Sequence, residues 1–221
     1  MNHTKDQILD TAERLFAEQG YAATSLRSII AAAGVNLAAI HYHFRSKEAL
    51  LEAVVVRRSQ PANQERLKLL ENFQQAAGSA PVSLEQVMEA FLAPTFRMAQ
   101  DSASGGRVFM RLLGRLHAEG DLLSGILKAQ SSDVLERFAA ALRRALPDLE
   151  PEELFWRLNF SIGALAQTLR GGSKELAAIA DFPVSFDAEN ALARLIAFLS
   201  AGFRAPVPYE KVHRLHAGEE R

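Results

Sequence analysis

The sequence predicts an all-α chain of about nine helices, and three observations carry that prediction. Ala and Leu are abundant while runs of β-branched residues are scarce, a balance that favours helix over sheet. Apolar residues recur at helical spacing along most of the chain, with no strand alternation, internal repeat or low-complexity tract. Gly, Pro, Ser and Asp stand between the periodic stretches, where helices begin and end. With 221 residues the chain can hold one larger domain, or a small domain joined to a larger one.

The first helix spans Thr4 to Gln19, with Ile8, Ala12, Leu15 and Phe16 on one face and Gly20 in the C-terminal glycine position. Thr24 or Ser25 can cap a short second helix that carries Leu26, Ile29 and Ile30 inward and ends near Ala33-Gly34. Asn36 can cap a third, Leu37 to His43, because its side-chain oxygen can accept from first-turn amides. Ser46 caps a fourth, with Leu50, Leu51, Val54 and Val55 as its apolar residues. Pro61 removes a helical hydrogen bond and is expected to kink or restart that helix, which places a domain boundary between 1–60 and 61–221. Helix resumes from Arg66 to Gln75, and Ala77-Gly78-Ser79-Ala80-Pro81 reads as a linker. Leu84 to Ala99, Gly106 to His117, Asp121 to Ala145, Pro151 to Leu169 and Ala188 to Gly202 complete the series. Gly105-Gly106, Pro147-Asp148, Gly171-Gly172-Ser173 and Pro183 punctuate them, and the tail beyond Pro206 is polar.

Charge and composition exclude several classes. The 25 basic and 26 acidic residues leave a formal charge of -1, so nucleic-acid binding must rest on a local patch. Between Gly20 and Arg58, five basic residues (Arg27, Arg45, Lys47, Arg57, Arg58) face two acidic ones (Glu48, Glu52). The absence of cysteine removes disulfides, thiolate metal sites and cysteine nucleophiles. No apolar run approaches the roughly 20 residues of a membrane span, so no membrane partner and a cytoplasmic location are expected.

A short helix, a Gly-containing turn and a second short helix match the helix-turn-helix plan, whose second helix enters the major groove. Tyr21, Thr24, Ser25, Leu26, Ile29, Ala33-Gly34-Val35, Ile40, Tyr42-His43-Phe44, Ser46-Lys47-Glu48 and Leu50 stand at the spacings of one family pattern. On these residues, positions 8 to 55 resemble the head of the tetracycline-repressor (TetR) family. The resemblance implies a transcriptional regulator, in most cases a repressor, that binds a palindromic double-stranded DNA operator as a homodimer and responds to a small-molecule effector.

In that frame Leu26, Ile29, Val35, Ile40, Phe44 and Leu50 should pack against Ile8, Leu15 and Phe16, as apolar residues at helical spacing do. Thr24, Ser25, Tyr42 and Lys47 are candidate phosphate contacts, with capping or plain solvated surface as the alternative. Asn36, Leu37, Ala38 and His41, at the start and outer face of the third helix, are the candidate base readers, with His43 beside them and Arg27 reaching from the second helix. The family commonly places a hydroxyl where this chain has Ala39, so the operator cannot be borrowed from other members. His41 and His43 do not make a metal site, since residues two apart on a helix point about 200° from each other.

The second half is similar to the effector domain of the same family, most closely the PsrA-type fatty-acid-responsive regulators. That similarity rests on Arg111-Leu112-Leu113-Gly114-Arg115, Leu154-Phe155-Trp156-Arg157 and Phe160-Ser161-Ile162-Gly163-Ala164-Leu165-Ala166. Phe91, Phe96, Phe109, Met110, Leu113, Trp156 and Phe160 can line an apolar effector pocket or simply be core. Arg107, Arg111 and Arg115, at i, i+4 and i+8, form either a solvated stripe or a holder for a carboxylate or coenzyme A phosphate. The last two helices carry small residues (Ser161, Gly163, Ala164, Ala191, Ala197, Ala201) that permit close approach; they can be intramolecular core, the resemblance makes them the dimer interface, and both can hold at once.

An enzyme is not expected, because no G-x-S-x-G, P-loop, dinucleotide fingerprint or H-E-x-x-H occurs, and no cofactor is expected either. The rival reading is a helical small-molecule sensor or carrier without sequence-specific DNA binding. Such a protein has no need of the Tyr42-His43-Phe44-x-Ser46-Lys47-Glu48 run.

Overall fold

The structure, a computed structural model, describes residues 3–101, 105–118, 121–169, 179 and 187–206. The polar tail beyond Pro206 and the punctuation at Gly171–Ser173 and Pro183 lie outside the described residues. Among those described, every regular element is helical: α1 (His3–Gln19), α2 (Leu26–Ala33), α3 (Leu37–His43), α4 (Lys47–Ala77), α5 (Leu84–Gln100), α6 (Gly106–Ala118), α7 (Asp121–Ala145), α8 (Pro151–Leu169) and α9 (Ala188–Arg204).

The caps explain the boundaries. Ser25 accepts from the Ser28 amide at 3.0 Å while the Ser28 hydroxyl closes back on the Ser25 amide, a reciprocal capping box. Gly34 ends α2 in the left-handed region (φ 62°), a conformation that glycine adopts without a Cβ penalty. Asn36 caps α3 by accepting from the Ala39 amide at 2.8 Å, and Ser46 caps α4 through the Ala49 amide. Gly78 closes α4, and Ser83 forms a second capping box with Gln86 at the start of α5.

The expectation of a restart at Pro61 is corrected: α4 runs unbroken for 31 residues through it. An interior proline costs roughly 3 kcal/mol, and burial on both sides of it offsets that cost. Leu50, Leu51, Val54 and Val55 lie in one core, Ala62, Asn63 and Leu70 are buried beyond the proline, and Pro61 itself is exposed. Pro94 is likewise accommodated inside α5.

Two cores result. The first joins Ile8, Leu15, Phe16, Ile29, Ile40, Phe44 and the start of α4 with Phe109, Leu112 and Leu116 of α6. The second gathers Leu70 of α4, Phe96 of α5, Phe138 of α7, Leu154 of α8 and Leu199 of α9. Helix α6 thus completes the core of the N-terminal head, packing along α1, while α4 continues into the second core against α5 and α7.

Between these cores lies an ionic knot. Glu13 of α1, 2% exposed, accepts from Arg57 Nη2 at 2.7 Å and from Arg58 Nε at 2.9 Å, and Arg57 also reaches Asp10 at 2.8 Å. At the α5–α6 turn, Gly105 (φ 84°) lies against the same Arg58.

Candidate nucleic-acid interface and effector region

The turn preceding α3 is held from behind. Gln7 Nε2 of α1 donates to the Ala33 carbonyl at 2.8 Å, tying α1 to the end of α2. Tyr21 donates its hydroxyl to Glu48 Oε1 at 2.7 Å, and Lys47 Nζ donates to the Tyr21 and Thr24 carbonyls at 2.7 and 2.8 Å while lying 4.1 Å from the Tyr21 ring centroid. Burial, then the bond to Glu48, holds the Tyr21 phenol well above the usual tyrosine range. The Tyr21 hydroxyl in turn holds the Glu48 carboxyl below the ordinary range. These contacts fix the α1–α2 turn to the start of α4, so α3 is presented on a rigid frame.

On that frame α3 buries Ile40 and turns Asn36, Leu37, Ala38, His41 and Tyr42 to solvent. Leu37 is 54% and Tyr42 85% exposed, which the core of this head does not require. Arg27 is exposed on α2, His43 is half-buried, and Ser25 is exposed but occupied as a cap. One expected phosphate contact needs correction, and a second is partly engaged in the fold. Thr24 is 1% exposed, and its hydroxyl donates inward toward the Gly20 and Leu15 carbonyls, so that side chain cannot meet a backbone phosphate. Lys47 spends two of its three N–H donors on the turn, so its first role is structural.

The expected effector residues do not converge. Phe109 belongs to the head core with Leu113 packed beside it, and Phe96 lies in the second core. Phe91 is half-buried and edge-on to Phe138 at 5.2 Å, Met110 is half-buried, and Trp156 and Phe160 stack on the outer face of α8. Arg107, Arg111 and Arg115 are all exposed, the solvated alternative for that stripe. Aromatic spacing could not distinguish these fates, because periodicity gives a face but not what the face meets. A groove of about 240 Å³ between α4 and α7, bordered by Leu67, Leu70, Glu71, Arg137, Ala141 and Arg144, includes none of the expected residues.

Arg66 lies outside the expected site residues. Its Nε donates to the Phe91 carbonyl at 2.8 Å, Nη1 to Asn63 Oδ1 at 2.7 Å and Nη2 to the Thr95 hydroxyl, and its guanidinium lies 4.7 Å from the Phe91 ring centroid. Burial draws its pKa down to about 10. The only sequence signal was the polar spacing of Ser59, Asn63 and Arg66 at i, i+4 and i+7.

A short capped helix, a glycine turn and a second short helix on a buried frame define a helix-turn-helix protein. Residues 8–54 match the family model of bacterial regulatory proteins of the tetR family, and residues 89–202, just over half of the chain, match that of the tetracyclin repressor-like C-terminal domain. The chain belongs to the TetR family of bacterial transcriptional regulators. It is 28% identical over 183 residues to an uncharacterized HTH-type transcriptional regulator of Mycobacterium tuberculosis, a match covering 81% of this chain and 83% of that one. It is 47% identical over 51 residues to the uncharacterized HTH-type transcriptional regulator YerO of Bacillus subtilis, which covers 23% of this chain but 18% of YerO. The matches span a quarter or less of the first curated relatives. The solved SmeT–triclosan complex shares the fold at 23% identity, with a TM-score of 0.61 over 93% of this chain and 99% of that one. No helix among the described residues is long and apolar enough to cross a membrane.

Proposed function

We propose that the protein is a ligand-responsive repressor that binds a palindromic operator as a dimer, residues 1–60 contacting DNA and residues 61–221 binding the effector and the second copy. The observation that carries this is the solvent-facing side of α3, where Asn36, Leu37, Ala38, His41 and Tyr42 stand outward on a buried frame. Base edges are then read by Asn36, Leu37, Ala38 and His41. Arg27 reaches base edges from α2, and phosphates are met by Tyr42 and by the remaining N–H of Lys47. The effector is apolar or acyl-type in this proposal, and kinship with the PsrA-type subgroup belongs to it. The small-molecule complex of a fold neighbour supports an effector role for the second half.

Salt-dependent retention on non-specific DNA, followed by selection from a randomised duplex library, tests the reading. Tyr42→Phe should weaken binding by a similar factor on every sequence. His41→Ala should cost about 1 to 3 kcal/mol of discrimination at one or two base pairs. A sequence preference unchanged in His41→Ala would displace the reading face from α3.

The dimer is supported by the outer side of α8, where Phe155, Trp156, Phe160 and Ile162 lie opposite buried Leu154, Arg157 and Ser161. Phe160 is 63% exposed, and Phe198 of α9 is 71% exposed. Such a patch on a monomer marks an interface. Light scattering should return a dimer for the native chain and a monomer for Phe160→Glu combined with Phe198→Glu. Paired recognition helices would then stand about 34 to 36 Å apart, one DNA turn. A native monomer at micromolar concentration, with and without DNA, overturns this part.

A further inference from the structure

Ser59, Asn63 and Arg66 share one face of α4, and that face turns into the bundle. Asn63, buried, donates to the Gln130 carbonyl of α7 at 3.3 Å and accepts from Arg66. Ser59 Oγ is enclosed and has no hydrogen-bond partner among the described residues. From α5, Thr95, itself buried, faces the same guanidinium.

This arrangement departs from the rule for buried charge. Enclosed cations are paired with carboxylates, because desolvation costs several kcal/mol per ion when nothing compensates it. Here Arg66 keeps some surface but its charged head is enclosed, and each of its partners among the described residues is neutral: an amide, a hydroxyl, a backbone carbonyl and a ring face. Its neighbour on the helix, Glu65, is committed to Arg97 at 2.7 Å. A guanidinium carries five N–H donors, and three are used.

We propose that the stripe of Ser59, Asn63 and Arg66 on α4, faced by Thr95 of α5, binds the carboxylate of a small organic acid that is the effector. This rests on the regulator reading above and names the chemical class of its ligand. A carboxylate matches the charge of one arginine and can accept its two spare donors in the paired geometry that guanidinium favours. A phosphate would bring a second negative charge that no neighbouring cation among the described residues meets. The Ser59 hydroxyl is free to donate to the same group or to another polar atom of the ligand, since the stripe runs for roughly 10 Å at 1.5 Å per residue. Phe91, half-buried and stacked on the guanidinium, offers an apolar surface to the rest of the molecule. The exposed arginines of α6 take no part.

The test uses the full chain and matched probes that differ in the head group alone: benzoate against benzyl alcohol, and decanoate against decan-1-ol, with inorganic phosphate as a third arm. In at least one pair the acid should raise the melting temperature and bind about tenfold or more tighter than its alcohol. Arg66→Gln should erase that preference while leaving the response to the alcohol in place. Arg66→Lys, which keeps the charge but loses the fork, should retain only part of it, and it serves if the glutamine variant fails to fold. Equal response to acid and alcohol in both pairs, response to phosphate alone, or an acid preference undiminished in the variants would overturn the assignment. DNA retention is measured on the same samples, and its absence overturns the regulator reading whatever the melting data show.

Discussion

Replacing Glu13 by Ala should lower the free energy of unfolding by about 3 kcal/mol, because it strips the shared carboxylate from two arginines that cannot turn fully to water. Glu13 is 2% exposed and bonded to both Arg57 and Arg58, and after its loss Asp10, on the surface, is the carboxylate that remains to Arg57 among the described residues. A pair exposed to solvent would be worth a fraction of this. Urea unfolding of the native and variant chains gives the difference directly. A change below about 1 kcal/mol would mean that water replaces the carboxylate at little cost. Glu13→Gln should fall between, keeping the shape and one acceptor while losing the charge.

The adjoining turn should show the second large effect. A Cβ placed on Gly106 would lie 1.9 Å from the Met98 carbonyl oxygen and 3.0 Å from that of Asp101, both backbone atoms that cannot step aside without moving the end of α5. Gly106→Ala should therefore cost about 3 kcal/mol or more, at the upper end of overpacking. Gly105→Ala meets side-chain and not backbone atoms, the Arg58 guanidinium at 2.8 Å, which must shift slightly within its bonds to Glu13, and it also carries the cost of its positive φ. About 1 kcal/mol is expected there. Equal costs at the two positions would mean that the turn relaxes as a unit.

Much of the fold was legible because its determinants are local. Ser25, Asn36 and Ser46 cap the helices they precede, and Gly34 adopts the conformation for which glycine is suited. The continuity of α4 was not legible, because the penalty at Pro61 is local whereas the packing that outweighs it comes from residues far away in sequence. The same limit governs the sites. The outward side of α3 follows from Ile40 pointing in, but the inward hydroxyl of Thr24 depends on carbonyls of Leu15 and Gly20 that only the folded turn brings near. Arg66 reads as an ordinary surface cation until α5 supplies Phe91 and Thr95.

The seat that α6 occupies in the head has a bearing on modularity. Phe109, Leu112 and Leu116 are as deeply enclosed there as Phe16 or Ile40, so residues 1–60 are not a piece that stands alone. Cut after α4's first turns, the head would bare the apolar surface those three side chains cover, and one melting transition, not two, is expected for the whole chain. Exchanging heads between relatives would then succeed only where the incoming α1 matches the resident α6, and a graft should carry both.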